Sequence, residues 1–80
     1  MKLEELRATI ADLFEIEGSS LTLETPFQDQ GVYDSLKVVL LMAELEDQAG
    51  LSVPPEKTQE LQTLQDILTF AREQGKPIEE

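Results

Sequence analysis

The segment Asp34-Ser35-Leu36-Lys37-Val38-Val39-Leu40-Leu41-Met42-Ala43-Glu44-Leu45-Glu46-Asp47-Gln48-Ala49-Gly50 decides the fold. It opens on two residues that suit a helix N-terminus, and it closes on a glycine, the residue that most readily ends one. At roughly 100° per residue, Val38, Leu41, Met42, Leu45 and Ala49 fall on one stripe, which predicts the core side. Leu36, Leu40, Ala43 and Asp47 fall on the opposite side. The pattern therefore predicts a helix from Asp34-Ser35 to Ala49 that turns two leucines toward water beside its start. Lone exposed leucines are ordinary, but two that flank a polar residue at a helix N-terminus suggest a docking surface.

Upstream, Leu3, Leu6, Ile10, Leu13 and Phe14 recur at helical spacing, with Glu4, Glu5, Arg7 and Asp12 on the other faces. This predicts a helix from about Lys2 to Glu15, stopped near Gly18. The stretch from Ile16 to Asp34 has no clear period and is punctuated by Ser19-Ser20, Thr25-Pro26 and Gly31. A connection this long in so small a chain is often functional, and Leu21, Leu23 and Phe27 are expected to plug it into the core.

Downstream, Leu51 and Val53 form a short apolar stretch before Pro54-Pro55 breaks the chain. Glu56 to Leu61 is expected to be a short helix with Pro55 in its first turn. Thr63-Leu64-Gln65-Asp66 resembles a capping box with Asp in place of the usual Glu or Gln. Leu64, Ile67, Leu68 and Ala71 supply the apolar face of a last helix, ended by Gly75-Lys76-Pro77, with Ile78 to Glu80 expected as a frayed tail. The expected fold is all-α: three main helices, one short helix, and a long ordered loop between the first two. It forms a single domain over residues 1–80, with an ordered core over about 2–74 and a tail over 75–80.

Eighty residues, 40% of them apolar, allow one modest core. Six Lys and Arg against seventeen Asp and Glu give a formal net charge of -11. A field of that sign repels phosphate backbones and anionic membranes and favours basic patches on other proteins. Nucleic acid is therefore not an expected partner. The chain has no Cys and no His, so it lacks a thiolate nucleophile, a zinc-cysteine site and the commonest general base and metal ligand. No apolar run reaches the length of a membrane span, and Met1-Lys2-Leu3-Glu4-Glu5 has no signal-peptide core. A cytoplasmic monomer without membrane insertion, catalytic residues or bound metal is expected.

Ser35 would sit where unpaired backbone N–H groups and the positive end of the helix dipole favour an attached anion. The plainer reading makes Ser35 a cap. Asp34 competes for that task, which leaves Ser35 partly unexplained by capping.

Phe27, Gly31 and Asp34-Ser35-Leu36, followed by an apolar and acidic helix, resemble the acyl carrier protein family. The resemblance runs from about Leu3 to Glu73, and Val53-Pro54 and Thr63-Leu64-Gln65-Asp66 fall where the family has similar residues. It implies that Ser35 carries 4'-phosphopantetheine, transferred from coenzyme A by a magnesium-dependent phosphopantetheinyl transferase. The thiol at the end of that arm then holds a cargo as a thioester. The absence of Cys and His agrees, because the reactive sulfur is not encoded and partner enzymes do the chemistry. The resemblance also implies that Asp34 caps the helix or contacts metal in the transferase complex, both readings staying open. By the same resemblance Leu36 and Leu40 dock on partners, and acidic residues such as Glu44, Glu46 and Asp47 meet Arg or Lys there. Downstream acyl transferases or synthases of fatty acid or secondary metabolite biosynthesis are further implied partners.

Three features depart from the fatty-acid-synthase pattern. Two residues, Val32-Tyr33, separate Gly31 from Asp34 where those carriers typically have one; this spacing is more like D-alanyl carriers and discrete carriers served by an adenylate-forming ligase. Lys37 stands where an acidic residue is frequent, and Leu40 where Glu is usual. A specialised carrier is expected, loaded by an acyl- or aminoacyl-activating ligase, with Lys37 and Leu40 selecting the partner. Tyr33 either packs on the helix or sits near the arm. Leu41, Leu45, Leu61, Leu64 and Leu68 could shelter a cargo chain, but they are needed as core in any case. The competing class is an unmodified acidic helical interaction module that docks through Leu36 and Leu40 and would tolerate Ser35→Ala.

Overall fold

The structure is a computed structural model that describes residues 1–29 and 34–79. Helix α1 spans Leu3–Phe14. Its N-terminus suits the helix dipole, because Glu4 and Glu5 lie in the first turn and the Glu5 carboxylate accepts the Lys2 N–H at 3.1 Å. The stop is not Gly18 but Glu15, which adopts a left-handed conformation (φ 58°) while Ile16 N–H reaches back to the Ala11 carbonyl at 2.9 Å.

The connection to the next helix is ordered by two short 3₁₀ turns, Gly18–Ser20 and Phe27–Asp29. Leu21 and Phe27 are buried as expected, and Leu23 packs against the same core. The Phe27 ring meets Phe14 with centroids 5.7 Å apart, and Phe27 N–H donates to the Gln62 carbonyl at 2.8 Å. The segment is thus pinned to α1 on one side and to the start of the last helix on the other.

Helix α2 runs Ser35–Ala49, with Asp34 as N-cap and Gly50 in the left-handed conformation (φ 69°) as its stop. Leu51 N–H returns to the Leu45 carbonyl at 3.1 Å, which closes the last turn. Leu41 and Leu45 are fully buried, while Val38, Met42 and Ala49 are half-buried along the same stripe. Helix α3 is shorter than expected, Pro55–Thr58. Residues 59–60 form a turn in place of a further helical one, so Leu61 enters the core from outside the helix.

Helix α4, Leu64–Glu73, begins with the expected capping box. Asp66 N–H donates to Thr63 Oγ1 at 3.1 Å, and the Asp66 carboxylate accepts the Thr63 N–H at 3.2 Å. Leu64, Ile67, Leu68, Phe70 and Ala71 are all buried.

The tail differs from the frayed one expected of residues 78–80. Ile78 is buried in the core, and Glu79 forms an isolated bridge with Lys2. The Glu79 carbonyl accepts the Leu3 N–H at 2.6 Å, and its own N–H donates to the Met1 carbonyl at 3.1 Å. Lys76 Nζ also donates to the Gly50 carbonyl at 2.8 Å, at the negative end of α2. Pro77 ends helical structure as expected, but an extended chain beyond it has an apolar slot and a backbone partner to use. Glu80 lies outside the described residues.

Candidate functional site

The start of α2 is built by Asp34. Its backbone is extended (φ -156°, ψ 177°), and its Oδ1 accepts the Lys37 N–H at 2.9 Å. Its carbonyl accepts the Val38 N–H at 3.1 Å. The N–H groups of Ser35 and Leu36 have no acceptor within the helix, as its geometry requires. They point out of the helix start together with the positive end of the dipole. An anion bonded at Ser35, the first residue of α2, meets both. Asp34 and Leu36 on either side are exposed. This donor set fits a phosphodiester. Gly31, Val32 and Tyr33 lie outside the described residues, and so do the spacing before Asp34 and the packing of Tyr33.

The outer face of α2 divides into two parts. Leu36 is 65% exposed, Val39 61% and Leu40 40%; among the described residues these are the large apolar side chains left open to water. Val39 escapes the sequence reading because it falls at the margin between the core stripe and the outer face. Its place one turn from Leu36 is the signal that could have found it. Glu46 and Asp47 are exposed farther along; Asp47 lies roughly 18 Å from Ser35 along the axis at the usual helical rise. Glu44 is half-buried and accepts a hydrogen bond from Gln48 Nε2 within the helix.

Lys37 does not stand clear beside these residues. It is half-buried, and its Nζ lies 3.9 Å from Glu15 Oε2, so it links the start of α2 to the end of α1. Met42 packs against the core as the wheel indicates.

Leu41, Leu45, Leu61, Leu64 and Leu68 all belong to the buried core. Of these, Leu61 borders an open cleft of about 230 Å³, lined also by Phe27, Gln28, Thr58, Gln59 and Gln62. Among the described residues no group of three or more His, Cys, Asp or Glu side chains is placed to hold a metal ion. No described helix is long and apolar enough to cross a membrane.

Comparison with known proteins agrees with this geometry. The model of the phosphopantetheine attachment site family matches residues 4–71. An acyl carrier protein of Treponema pallidum (strain Nichols) is 33% identical over 67 residues, covering 84% of this chain and 86% of the relative. One from Thermosynechococcus vestitus is 34% identical over 68 residues, covering 85% and 84%. A meromycolate extension acyl carrier protein of Mycobacterium leprae is 37% identical over 71 residues, covering 84% of this chain and 62% of the relative. The helix start, the all-α fold and these matches converge: the chain belongs to the acyl carrier protein family, whose members are not catalysts but hold acyl groups as thioesters on phosphopantetheine.

Proposed function

We propose that Ser35 is the residue that carries 4'-phosphopantetheine, and that the protein works in the cytoplasm as a specialised carrier loaded by an adenylate-forming ligase. The observation that carries the first part is the open helix start: a serine at the first position of α2, with Asp34 already serving as cap. Capping is met by Asp34 and makes no demand on Ser35, and the product phosphodiester sits at a helix end worth about 0.3–1 kcal/mol to an anion. Asp34 has a second task in this reading, contact with the transferase and its magnesium. When bound, the group supplies a terminal thiol that holds the cargo as a thioester. The chain's own residues then present it: α2 fixes the attachment point, and Leu36, Lys37, Leu40, Glu44 and Asp47 define the surface that partners read.

The specialised reading rests on Lys37 and Leu40, together with the Val32-Tyr33 spacing. The first turn of α2 carries no acidic residue, its Lys37 pairs with Glu15, and Leu40 extends the apolar surface. A synthase surface that relies on basic side chains there gains little from this face. Such a face suits a dedicated partner, which this reading takes to be a ligase.

The test is intact mass after incubation with coenzyme A, magnesium and a broad-specificity phosphopantetheinyl transferase. A gain of one phosphopantetheine by the wild-type chain, absent in Ser35→Ala, is expected; no gain with several transferases would point to an unmodified interaction module. For the ligase, Lys37→Glu combined with Leu40→Glu is expected to reduce loading by the cognate enzyme, and unchanged loading would remove the specialised reading.

A further inference from the structure

The cleft of about 230 Å³ has buried Phe27 and Leu61 as its apolar floor, with Gln28, Thr58, Gln59 and Gln62 around them. Among the described residues, no hydrogen bond engages the side chains of Gln28, Thr58 or Gln59, and Gln62 Nε2 donates to the Gln59 carbonyl at 3.0 Å. The mouth therefore presents neutral donors and acceptors that a ligand can use. No charged side chain lines it. The sequence neighbour Glu60 faces Lys57 at 3.6 Å, and the Asp66 carboxylate accepts the Gln62 and Thr63 N–H groups. The Phe27 ring meets Phe14, while Lys37, two residues beyond Ser35, reaches the adjoining Glu15. The floor of the cleft and the first turn of α2 thus border the same end of α1, so an arm on Ser35 begins near the cleft.

We infer that this cleft selects the cargo, and that the cargo is a short acyl group bearing an ammonium, an aminoacyl group, in place of a long alkyl chain. The inference rests on the carrier reading above and names its substrate class. Size is the first argument: clefts for drug-sized ligands measure roughly 300–1,000 Å³, so this one takes a shorter group. Polarity is the second. An alkyl chain at the mouth covers the Gln28, Thr58 and Gln59 side chains without replacing their bonds to water, which opposes binding. An ammonium brings three donors that amide and hydroxyl oxygens accept. Charge is the third, because a chain of net charge -11 favours a cationic cargo over one that bears a carboxylate. A longer alkyl chain would have to pass the floor and displace Leu41, Leu45 and Leu64, which are buried together in the core.

The probes are β-alanyl-, butyryl- and octanoyl-coenzyme A, whose acylated arms a broad-specificity phosphopantetheinyl transferase places on the chain with magnesium. The β-alanyl and butyryl groups have the same length and differ by an ammonium for a methyl. The readouts are the side-chain amide signals of Gln28, Gln59 and Gln62, the methyl signals of Leu41, Leu45 and Leu64, and thioester hydrolysis relative to the same acyl-pantetheine in solution. The β-alanyl group is expected to shift the three amide signals and to be protected from hydrolysis more than the butyryl group. Gln28→Leu with Gln59→Leu, both at exposed positions, is expected to speed hydrolysis of the β-alanyl thioester about twofold or more, without speeding that of the butyryl thioester. The octanoyl group is expected to leave the core methyl signals in place. The comparison of β-alanyl with butyryl uses the wild-type chain alone, so it stands whatever the variant does. A β-alanyl group protected no better than butyryl, or an octanoyl group that shifts the core methyls, overturns the assignment of cargo and leaves the carrier reading standing. A wild-type chain that accepts no arm, acylated or not, overturns the carrier reading and this inference with it.

Discussion

At the start of α4, Thr63 and Asp66 satisfy each other's backbone N–H groups, and the first helical residue, Leu64, is fully buried. At the start of α2, Asp34 caps alone, and Leu36 is 65% exposed. The two starts use the same chemistry, an oxygen-bearing side chain three residues before the N–H it accepts. They differ in where the first turn points its apolar side chains. Helix α4 turns its first one inward and makes that end part of the core. Helix α2 exposes Leu36, only half-buries Val38, and buries apolar side chains fully only from Leu41 onward. A helix start that does not serve the core is free to serve a partner.

The strongest way to break this contrast is to shorten the apolar residue at each start. Leu64→Ala is expected to cost about 2–5 kcal/mol in chemical denaturation, because it removes a filled core position. Leu36→Ala is expected to stay within about 0.5 kcal/mol. Similar losses at the two sites would show that α2's first turn is also structural.

The caps sharpen the contrast at smaller magnitude. Thr63→Ala is expected to lower stability by about 1 kcal/mol, measured by thermal unfolding. Asp34→Asn keeps a good capping residue, so its stability should change by only a few tenths of a kcal/mol. If Asp34 also meets the transferase and its metal, the same variant slows phosphopantetheine addition. Normal addition by Asp34→Asn would confine Asp34 to capping. The smallest effect belongs to the tie between the helices. Lys37→Gln should change stability by no more than about 0.5 kcal/mol, since its partner Glu15 is largely exposed at 3.9 Å.

The parts of the fold that are legible in the sequence are those governed by local chemistry. Helix α2 carries a cap at one end and Gly50 at the other, and both bounds agree with the structure. The Thr63–Asp66 box is likewise local. The stop at Glu15 is hidden, because a non-glycine residue in a left-handed conformation leaves no compositional mark. The docked tail is hidden too, because Gly75 and Pro77 announce the end of a helix and say nothing of a slot for Ile78. That slot exists only once the core has assembled.

The candidate site shows the same division. The helix start and the exposure of Leu36 and Leu40 are consequences of periodicity. Val39 sits at the edge of that pattern, and the pairing of Lys37 with Glu15 depends on where two helices meet. The identity of the carried group comes from family resemblance, because a serine after a capping aspartate does not by itself specify phosphopantetheine.

The most direct test of the central claim is to load the chain with phosphopantetheine and locate the adduct by fragmentation mass spectrometry. The account predicts one modification, on Ser35, with Ser19, Ser20 and Ser52 unmodified. An adduct on any of those serines, or none anywhere, would contradict it.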